Sequence, residues 1–192
     1  MRIIITFTFY FVAATFAFLQ AQNNVTVVIN ELMADNETAV ADNEGGFDDW
    51  IELHNTLNVP MDVSNYGLSD DINALGKFRL PDNTIIPESG YLIIWADDDQ
   101  EQGPLHAQFR LSASGESIFL TDPQNNIIDQ VEYPDLADDE AYAREPNGFG
   151  DFRIKAHTHG ANNDTTTPTI DPLPAFITFS PNPVQDLSLI HI

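Results

Sequence analysis

The chain has 192 residues, with 30 Asp or Glu against 7 Lys or Arg and a net charge of -23 at pH 7. That excess opposes nucleic acid and anionic membranes as partners, because either polyanion is repelled and no basic stripe is available to release counterions. The absence of Cys excludes disulfides, thiolate zinc, iron–sulfur clusters and cysteine nucleophiles, while a hydrophobic content of 43% is ample for a packed core.

Residues 2–19 form one positive charge followed by an almost unbroken apolar run, which breaks at Gln20-Ala21-Gln22. A basic start, an apolar middle and a small residue at the break predict a secretory signal peptide over residues 1–21, cleaved after Ala21. The alternative is a transmembrane anchor, since a run of roughly 18 apolar residues can span a bilayer. Cleavage removes Arg2 and leaves 30 acids against 6 bases. An exported protein, secreted or held at the outer-membrane surface, is the expectation.

From residue 25 the apolar residues come in short runs: 25–33, 50–54, 64–69, 78–80, 84–86, 91–96, 107–111, 117–121 and 127–133. Clusters such as Asn43-Glu44-Gly45-Gly46, Pro81-Asp82-Asn83, Pro87-Glu88-Ser89-Gly90 and Asp122-Pro123-Gln124-Asn125-Asn126 separate them. Gly, Asn, Asp and Pro supply the positive or fixed φ angles of tight turns. In the second run Ile51 and Leu53 oppose Glu52 and His54, with Trp50 on the Glu52 side. In the last, Ile127, Val131 and Tyr133 oppose Gln130 and Glu132. Such alternation predicts strands with one face in the core and one in water. Residues 91–95 are apolar on both faces, as in a central, doubly covered strand. No window of about a dozen residues holds a helical period. The fold class is all-β, an immunoglobulin-like sandwich of seven to nine antiparallel strands.

Several stretches stand in the order and spacing of one family. They are Ile29-Asn30-Glu31-Leu32, Asp49-Trp50-Ile51-Glu52-Leu53-His54-Asn55 and Leu68-Ser69-Asp70-Asp71, then Ile86-Pro87-Glu88-Ser89-Gly90-Tyr91-Leu92. Leu111-Ser112-Ala113-Ser114-Gly115-Glu116, Ile128-Asp129-Gln130-Val131 and Ala143-Arg144-Glu145-Pro146-Asn147-Gly148 complete the pattern. Over roughly residues 25–152 the chain resembles the lamin tail domain family, in its exported bacterial version. The resemblance implies an immunoglobulin-like sandwich with no catalytic role, often placed beside hydrolase or surface-anchoring domains. It also implies that Asn30, Glu31, Asp49, Trp50, Glu52, Asn55, Ser69, Asp70, Gly90, Gly115, Arg144 and Gly148 serve the fold, so no catalytic residue is assigned.

The sandwich is placed at residues 22–155. Residues 156–175 are rich in Thr, Pro, Asn and Asp and predict an exposed linker. Residues 176–192 contain Ser180-Pro181-Asn182-Pro183 and resemble the opening of the C-terminal sorting domain of the type IX secretion system of Bacteroidetes. The secretion machinery is then a partner, and the chain reads as a fragment that stops inside its second domain.

Candidate sites are few. Glu31 and Glu52 suggest a glycosidase's paired carboxylates, against the plainer reading that each accepts hydrogen bonds at the sandwich edge. Asp97, Asp98, Asp99 and Glu101 are hard oxygen ligands that suit Ca²⁺ at extracellular levels, although their spacing fits no calcium loop and a solvated loop is the simpler reading. The clusters Asp70-Asp71 and Asp135 with Asp138-Asp139-Glu140 read in the same way. His157 and His159 flank Thr158 near Asp164 and point the same way on an extended chain, as a transition-metal pair would. Trp50, Trp95, Tyr66, Tyr91, Tyr133 and Tyr142 could stack on a sugar or peptide if exposed, or pack in the core. Arg144 beside Tyr142 has the character of a buried ion-pair partner. These features predict a non-catalytic extracellular or cell-surface module with no resident cofactor, which recognises a protein or polysaccharide. The alternatives are an accessory domain of a secreted hydrolase of nuclease or esterase type, and a calcium-stabilised adhesin.

Overall fold

Short β-branched and aromatic runs broken by Asn, Asp, Gly and Pro cannot propagate helices, and they fold as strands that share a common core. The computed structural model describes residues 26–164. The predicted signal peptide, the linker from residue 165 onward and the predicted sorting segment lie outside the described residues.

The strands are β1 (Val27–Met33), β2 (Trp50–Asn55), β3 (Met61–Asp62), β4 (Gly67–Ser69), β5 (Phe78–Arg79), β6 (Ile85–Ile86), β7 (Tyr91–Ala96), β8 (His106–Ala107), β9 (Glu116–Thr121), β10 (Ile127–Tyr133), β11 (Glu140–Glu145) and β12 (Asp151–Ala156). A six-stranded sheet runs β12-β11-β1-β2-β7-β8 and a four-stranded sheet runs β10-β9-β4-β5, while β3 and β6 pair separately. Their packing is sandwich-like and immunoglobulin-like. Neighbouring strands are antiparallel except β7 and β8, which pair in parallel through Trp95 with His106 and Ala96 with Ala107.

The strand count exceeds the expected seven to nine because five elements are only two or three residues long. The expected strand over 64–69 shrinks to β4, since Asn65 adopts a positive φ of 63° and turns the chain. β11 and β12 carry too many charges and alanines to register as apolar runs.

Ile29, Leu32, Ile51 and Leu53 from the large sheet meet Leu68, Ile118, Leu120 and Val131 from the smaller one in the main core. Ile127, expected beside Val131, is instead 41% exposed, because the β9–β10 register shifts between Ile127 and Asp129. That shift leaves Asp129 facing β1. Its carboxylate accepts the Ile29 amide at 2.8 Å and pairs with Arg144 at 2.9 and 3.0 Å. Arg144 Nε also donates to the Ile29 carbonyl at 2.8 Å, and the guanidinium lies 4.4 Å from the Phe152 ring centre. A charge pair fixed at both ends by backbone groups thus ties the two sheets together at Ile29.

The register of β1 on β2 also shifts between Ile29 and Glu31. Ile29 opposes Leu53 on the inner face, while Glu31 opposes Glu52 on the outer face. Asn30 is the extra residue, and its side chain joins Glu31 on the outer side. A bulge of this kind re-aims a side chain at a defined point.

The expectation that this outer face meets water does not hold. Trp50, Glu52 and His54 are all buried. Residues 157–163, expected in an exposed linker, lie across the outer face, and Asn163 is fully buried. Their stability there comes from hydrogen bonds to carboxylates, which composition alone does not reveal.

Candidate functional site

The outer face of β1 and β2 holds the densest buried polar network among the described residues. Glu31 Oε1 accepts the Thr158 amide at 2.8 Å, and Glu31 Oε2 accepts the Thr158 hydroxyl at 2.5 Å. Glu52 Oε1 accepts Asn30 Nδ2 at 2.8 Å, and Glu52 Oε2 accepts the Gly160 amide at 2.6 Å. All four carboxylate oxygens therefore have a donor, and three of the four donors belong to the segment 157–163.

Asn30 Oδ1 accepts the Gly148 amide at 2.9 Å, and the Asn30 carbonyl accepts Asn163 Nδ2 at 3.0 Å. Asn147 Oδ1 accepts Asn163 N and Asn30 Nδ2, both at 3.0 Å, while Asn147 Nδ2 donates to the Tyr91 hydroxyl at 3.1 Å. Gly148 has a φ of +73°, and a Cβ there would lie 2.7 Å from His54 Cδ2, so only glycine fits this close approach.

Burial pushes the Glu52 carboxyl up to about 7, and the neighbouring charge of Glu31 acts in the same direction. Burial also raises Glu31, against the lowering effect of its Thr158 donors. Two facing carboxylates with raised proton affinity resemble a general acid–base pair in chemistry. Yet each oxygen is already engaged, and the segment 157–163 covers them. The pair lies in the middle of the large sheet instead of at the sandwich edge.

Trp50 and Trp95 lie beside the pair and are 0% and 8% exposed. The His159 ring sits on both, with centroids 4.9 Å from Trp50 and 5.9 Å from Trp95. The two indoles and Tyr133 are buried and form no open stacking platform. Burial, followed by the charge of His157, lowers the proton affinity of His159. His157 Nδ1, His159 Nε2 and Trp50 Nε1 are buried without a hydrogen-bond partner.

The acidic loop after β7 differs from its expected solvated form. Asp97 is 5% exposed; its Oδ2 lies 2.5 Å from His106 Nδ1, and its Oδ1 accepts the Asp99 amide at 3.0 Å. Asp99 in turn accepts the Glu101 amide at 3.1 Å, while Asp98 and Glu101 are exposed. The cluster thus divides into one buried structural carboxylate and turn residues that cap their own amides. No group of three or more His, Asp or Glu suited to a metal ion occurs among the described residues, and His157 and His159 assemble with no third ligand.

At the same end of the sandwich, Asp35, Asp48, Asp49, Asp97 and Arg110 line a cleft of about 170 Å³. Burial raises the Asp49 carboxyl to about 6, reinforced by the charges of Asp35 and Asp48.

The other motif residues serve turns and ties. Asn55 Nδ2 donates to the carbonyls of Val59, Ile86 and Pro87, and the Gly90 carbonyl accepts Asn55 N. Asp70 pairs with Lys77 at 2.7 Å, and Ser69 Oγ accepts the Asp71 amide at 3.0 Å. Gly115 (φ +92°) lies against the backbone of Tyr133, where a Cβ would approach the carbonyl oxygen to 2.6 Å. Asp139 accepts the amides of Glu37, Thr38 and Ala39 and the Thr38 hydroxyl, and so folds the loop after β1. The contribution of Thr158 and Asn163 to the buried network escapes sequence reading, whereas Asn147 is legible only as a member of the family stretch that ends at Gly148.

The fold and this buried seam define an immunoglobulin-like β-sandwich module. The family model for the Lamin Tail Domain matches residues 20–135, and the chain belongs to that family. The match ends before β11, although β11 pairs with β1 and β12 completes the large sheet. No curated protein matches the chain.

Proposed function

We propose that the protein is a non-catalytic recognition or spacing module, exported to the cell surface or beyond it, that holds a protein or polysaccharide partner. The observation that carries this reading is the engagement of the facing Glu31 and Glu52 carboxylates by hydrogen bonds from the chain itself. Carboxylates consumed in this way tie a sheet to its cover, leaving no free general base or nucleophile between them. The partner-facing surface in this reading is the loop end that carries Asp48, Asp49, Arg110 and the half-exposed Phe47 around the cleft. Loops on a rigid sandwich are the usual place for such contacts.

Export through a signal peptide and a type IX sorting tail rests on residues 1–21 and 176–192 of the sequence. A role as accessory domain to a secreted hydrolase uses the same surface and differs only in what is tethered to it.

The test is a hydrolase panel (polysaccharide, phosphodiester, ester and peptide substrates) run beside binding to immobilised glycans and cell-envelope proteins. The expected result is saturable binding, weakened by Arg110→Ala, with no turnover. Robust turnover abolished by Glu52→Gln would overturn the reading.

A further inference from the structure

We propose that Lys155 and Asn163 form an intramolecular amide cross-link, Nζ to Cγ with loss of ammonia, which fastens residues 157–163 over the outer face of the large sheet. The reaction is a single self-modification that turns over no external substrate, so it stands independently of the recognition role.

Three features converge on the Asn163 side chain: an amine, an immobilised amide and a proton. Lys155 opposes Ala141 in register, yet its Nζ comes within 3.8 Å of Glu145 Oε2, further along β11. The side chain therefore runs along the strand across Ala143, where no larger group stands in its way. Nζ ends against Asn163, donating to the carbonyl of that residue, and the Lys155 side chain is only 14% exposed. Asn163 is fully buried, and its carboxamide is held at both ends. Nδ2 donates to the Asn30 carbonyl at 3.0 Å, and Oδ1 accepts from the Thr158 hydroxyl at 2.6 Å. A nucleophile and an electrophile confined together in a site closed to water have the advantage of an intramolecular reaction, and hydrolysis is suppressed.

The proton follows from a count of hydrogens. Thr158 has a single hydroxyl hydrogen, but its Oγ1 lies 2.5 Å from Glu31 Oε2 and 2.6 Å from Asn163 Oδ1. With Glu31 ionised, that hydrogen goes to Oε2 and Asn163 Oδ1 lacks it. With Glu31 protonated, Oε2 donates to Oγ1 and the hydroxyl donates on to Asn163 Oδ1, while Glu31 Oε1 still accepts the Thr158 amide. Only the second arrangement satisfies both contacts, and burial of Glu31 favours it. The Lys155 charge, which opposes it, disappears when the amine gives up its proton. A carboxylic acid is then aimed through one hydroxyl at the oxygen that gains negative charge as Cγ is attacked. Glu52 has no such relay, because both its oxygens face N–H donors.

Lys155 passes its ammonium proton to Glu145, and the neutral amine attacks Asn163 Cγ. Oδ1 takes the Glu31 proton through Thr158 as the Nζ–Cγ bond forms, and returns it as the carbonyl is restored. The Cγ–Nδ2 bond breaks, and Nδ2 departs as ammonia with its own two hydrogens and one from Nζ. The product is a secondary amide, formed without oxidant or cofactor. In a chain without Cys, where no disulfide can form, it supplies a covalent tie between β12 and the segment whose His159 covers Trp50 and Trp95.

Tryptic mass spectrometry of the purified full chain, denatured after folding, tests this. Trypsin cuts an unmodified chain after Arg153 and Lys155 and so frees Ile154-Lys155 from the peptide that follows. In the cross-linked chain Lys155 resists cleavage. A single fragment then begins at Ile154, with the mass of the joined peptides less one ammonia, and its fragmentation links Lys155 to Asn163. Lys155→Arg keeps the positive charge and should retain the ammonia. Glu31→Gln, folded by circular dichroism, should form the cross-link about a hundredfold more slowly. Should either variant fail to fold, the wild-type digest decides alone. Full cleavage at Lys155 in the folded wild type overturns the proposal. So does an ammonia lost from Asn162 or Asn163 with Lys155 still cleaved, which marks cyclisation of asparagine. A folded Glu31→Gln that cross-links as fast as the wild type overturns it as well.

Discussion

The two faces of the β1–β2 pair are both withdrawn from water, by opposite means. The inner face buries Ile29, Leu32, Ile51 and Leu53 against the smaller sheet. The outer face buries Asn30, Glu31, Glu52 and His54 beneath the segment 157–163 and the turn at Asn147-Gly148. Apolar burial needs only shape and volume, so it tolerates substitution and is insensitive to pH. Polar burial needs every donor matched to an acceptor, so it specifies one arrangement and responds to protons. One pair of strands therefore carries the stability of the fold on one side and its chemical sensitivity on the other.

The largest expected effect breaks the inner side. Leu53→Ala removes a fully buried side chain from the middle of the main core and should cost about 2–5 kcal/mol, seen as a large fall in the denaturant midpoint at every pH. A cost below 1 kcal/mol (roughly the effect of a surface change) would mean that the core is not where the sheets meet.

On the outer side, Asn30→Ala strands the Gly148 amide and one oxygen of Glu52 in a buried setting. The expected loss is about 1–3 kcal/mol, accompanied by faster amide exchange at Gly148 and Asn163. An equal loss without local exchange would show that the network adds volume alone.

The response to pH sharpens the same contrast. Glu52 is raised from 4.5 to about 7 and Asp49 from 3.8 to about 6, both mainly by burial. A carboxyl raised in the folded state contributes stability that is complete below its unfolded value and is lost as pH rises through its folded value. For Glu52 that loss runs from 4.5 to about 7. The high negative net charge adds repulsion in the same direction. Thermal melting should therefore occur at a higher temperature near pH 5 than near pH 8, with the difference reduced in Glu52→Gln. A melting temperature that climbs steadily from about pH 5 to 8 would contradict these burial effects.

The contrast between the faces also explains what the sequence reveals. The inner face is legible because Ile51 and Leu53 alternate with Glu52 and His54 at period two. The outer face is misread as wet because that alternation cannot tell a solvated Glu52 from one whose donors arrive from residue 160. β11 hides for a related reason. Its Ala141 and Ala143 are fully buried, but alanine carries too little apolar surface to mark a strand. β12 is an edge strand with Asp151, Arg153 and Lys155, the charges expected of a protected edge. The segment 157–163 consists of His, Thr, Gly, Ala and Asn, a composition shared with linkers, and only the carboxylates beneath distinguish it. Motif residues such as Asn30, Glu52, Arg144 and Gly148 are legible as a set, but their joint role at the bulge needs β11 and the segment 157–163 in place.

The acidic loop after β7 gives the smallest expected effect and separates two kinds of carboxylate. In the seam, carboxylates accept donors from distant parts of the chain; in this loop, Asp99 mainly caps its own turn and Asp97 is held by His106. A cation entering the loop would have to displace His106 from Asp97 or draw Asp98 and Glu101 out of water. Either step costs what an exposed acidic pair returns, since ions at the surface gain little from one another. Millimolar Ca²⁺ should accordingly leave the melting temperature within about one degree of its metal-free value. Asp98→Asn should likewise change it little, because that side chain is exposed. A rise of several degrees with Ca²⁺, lost in Asp98→Asn, would show that the loop reorganises around the cation.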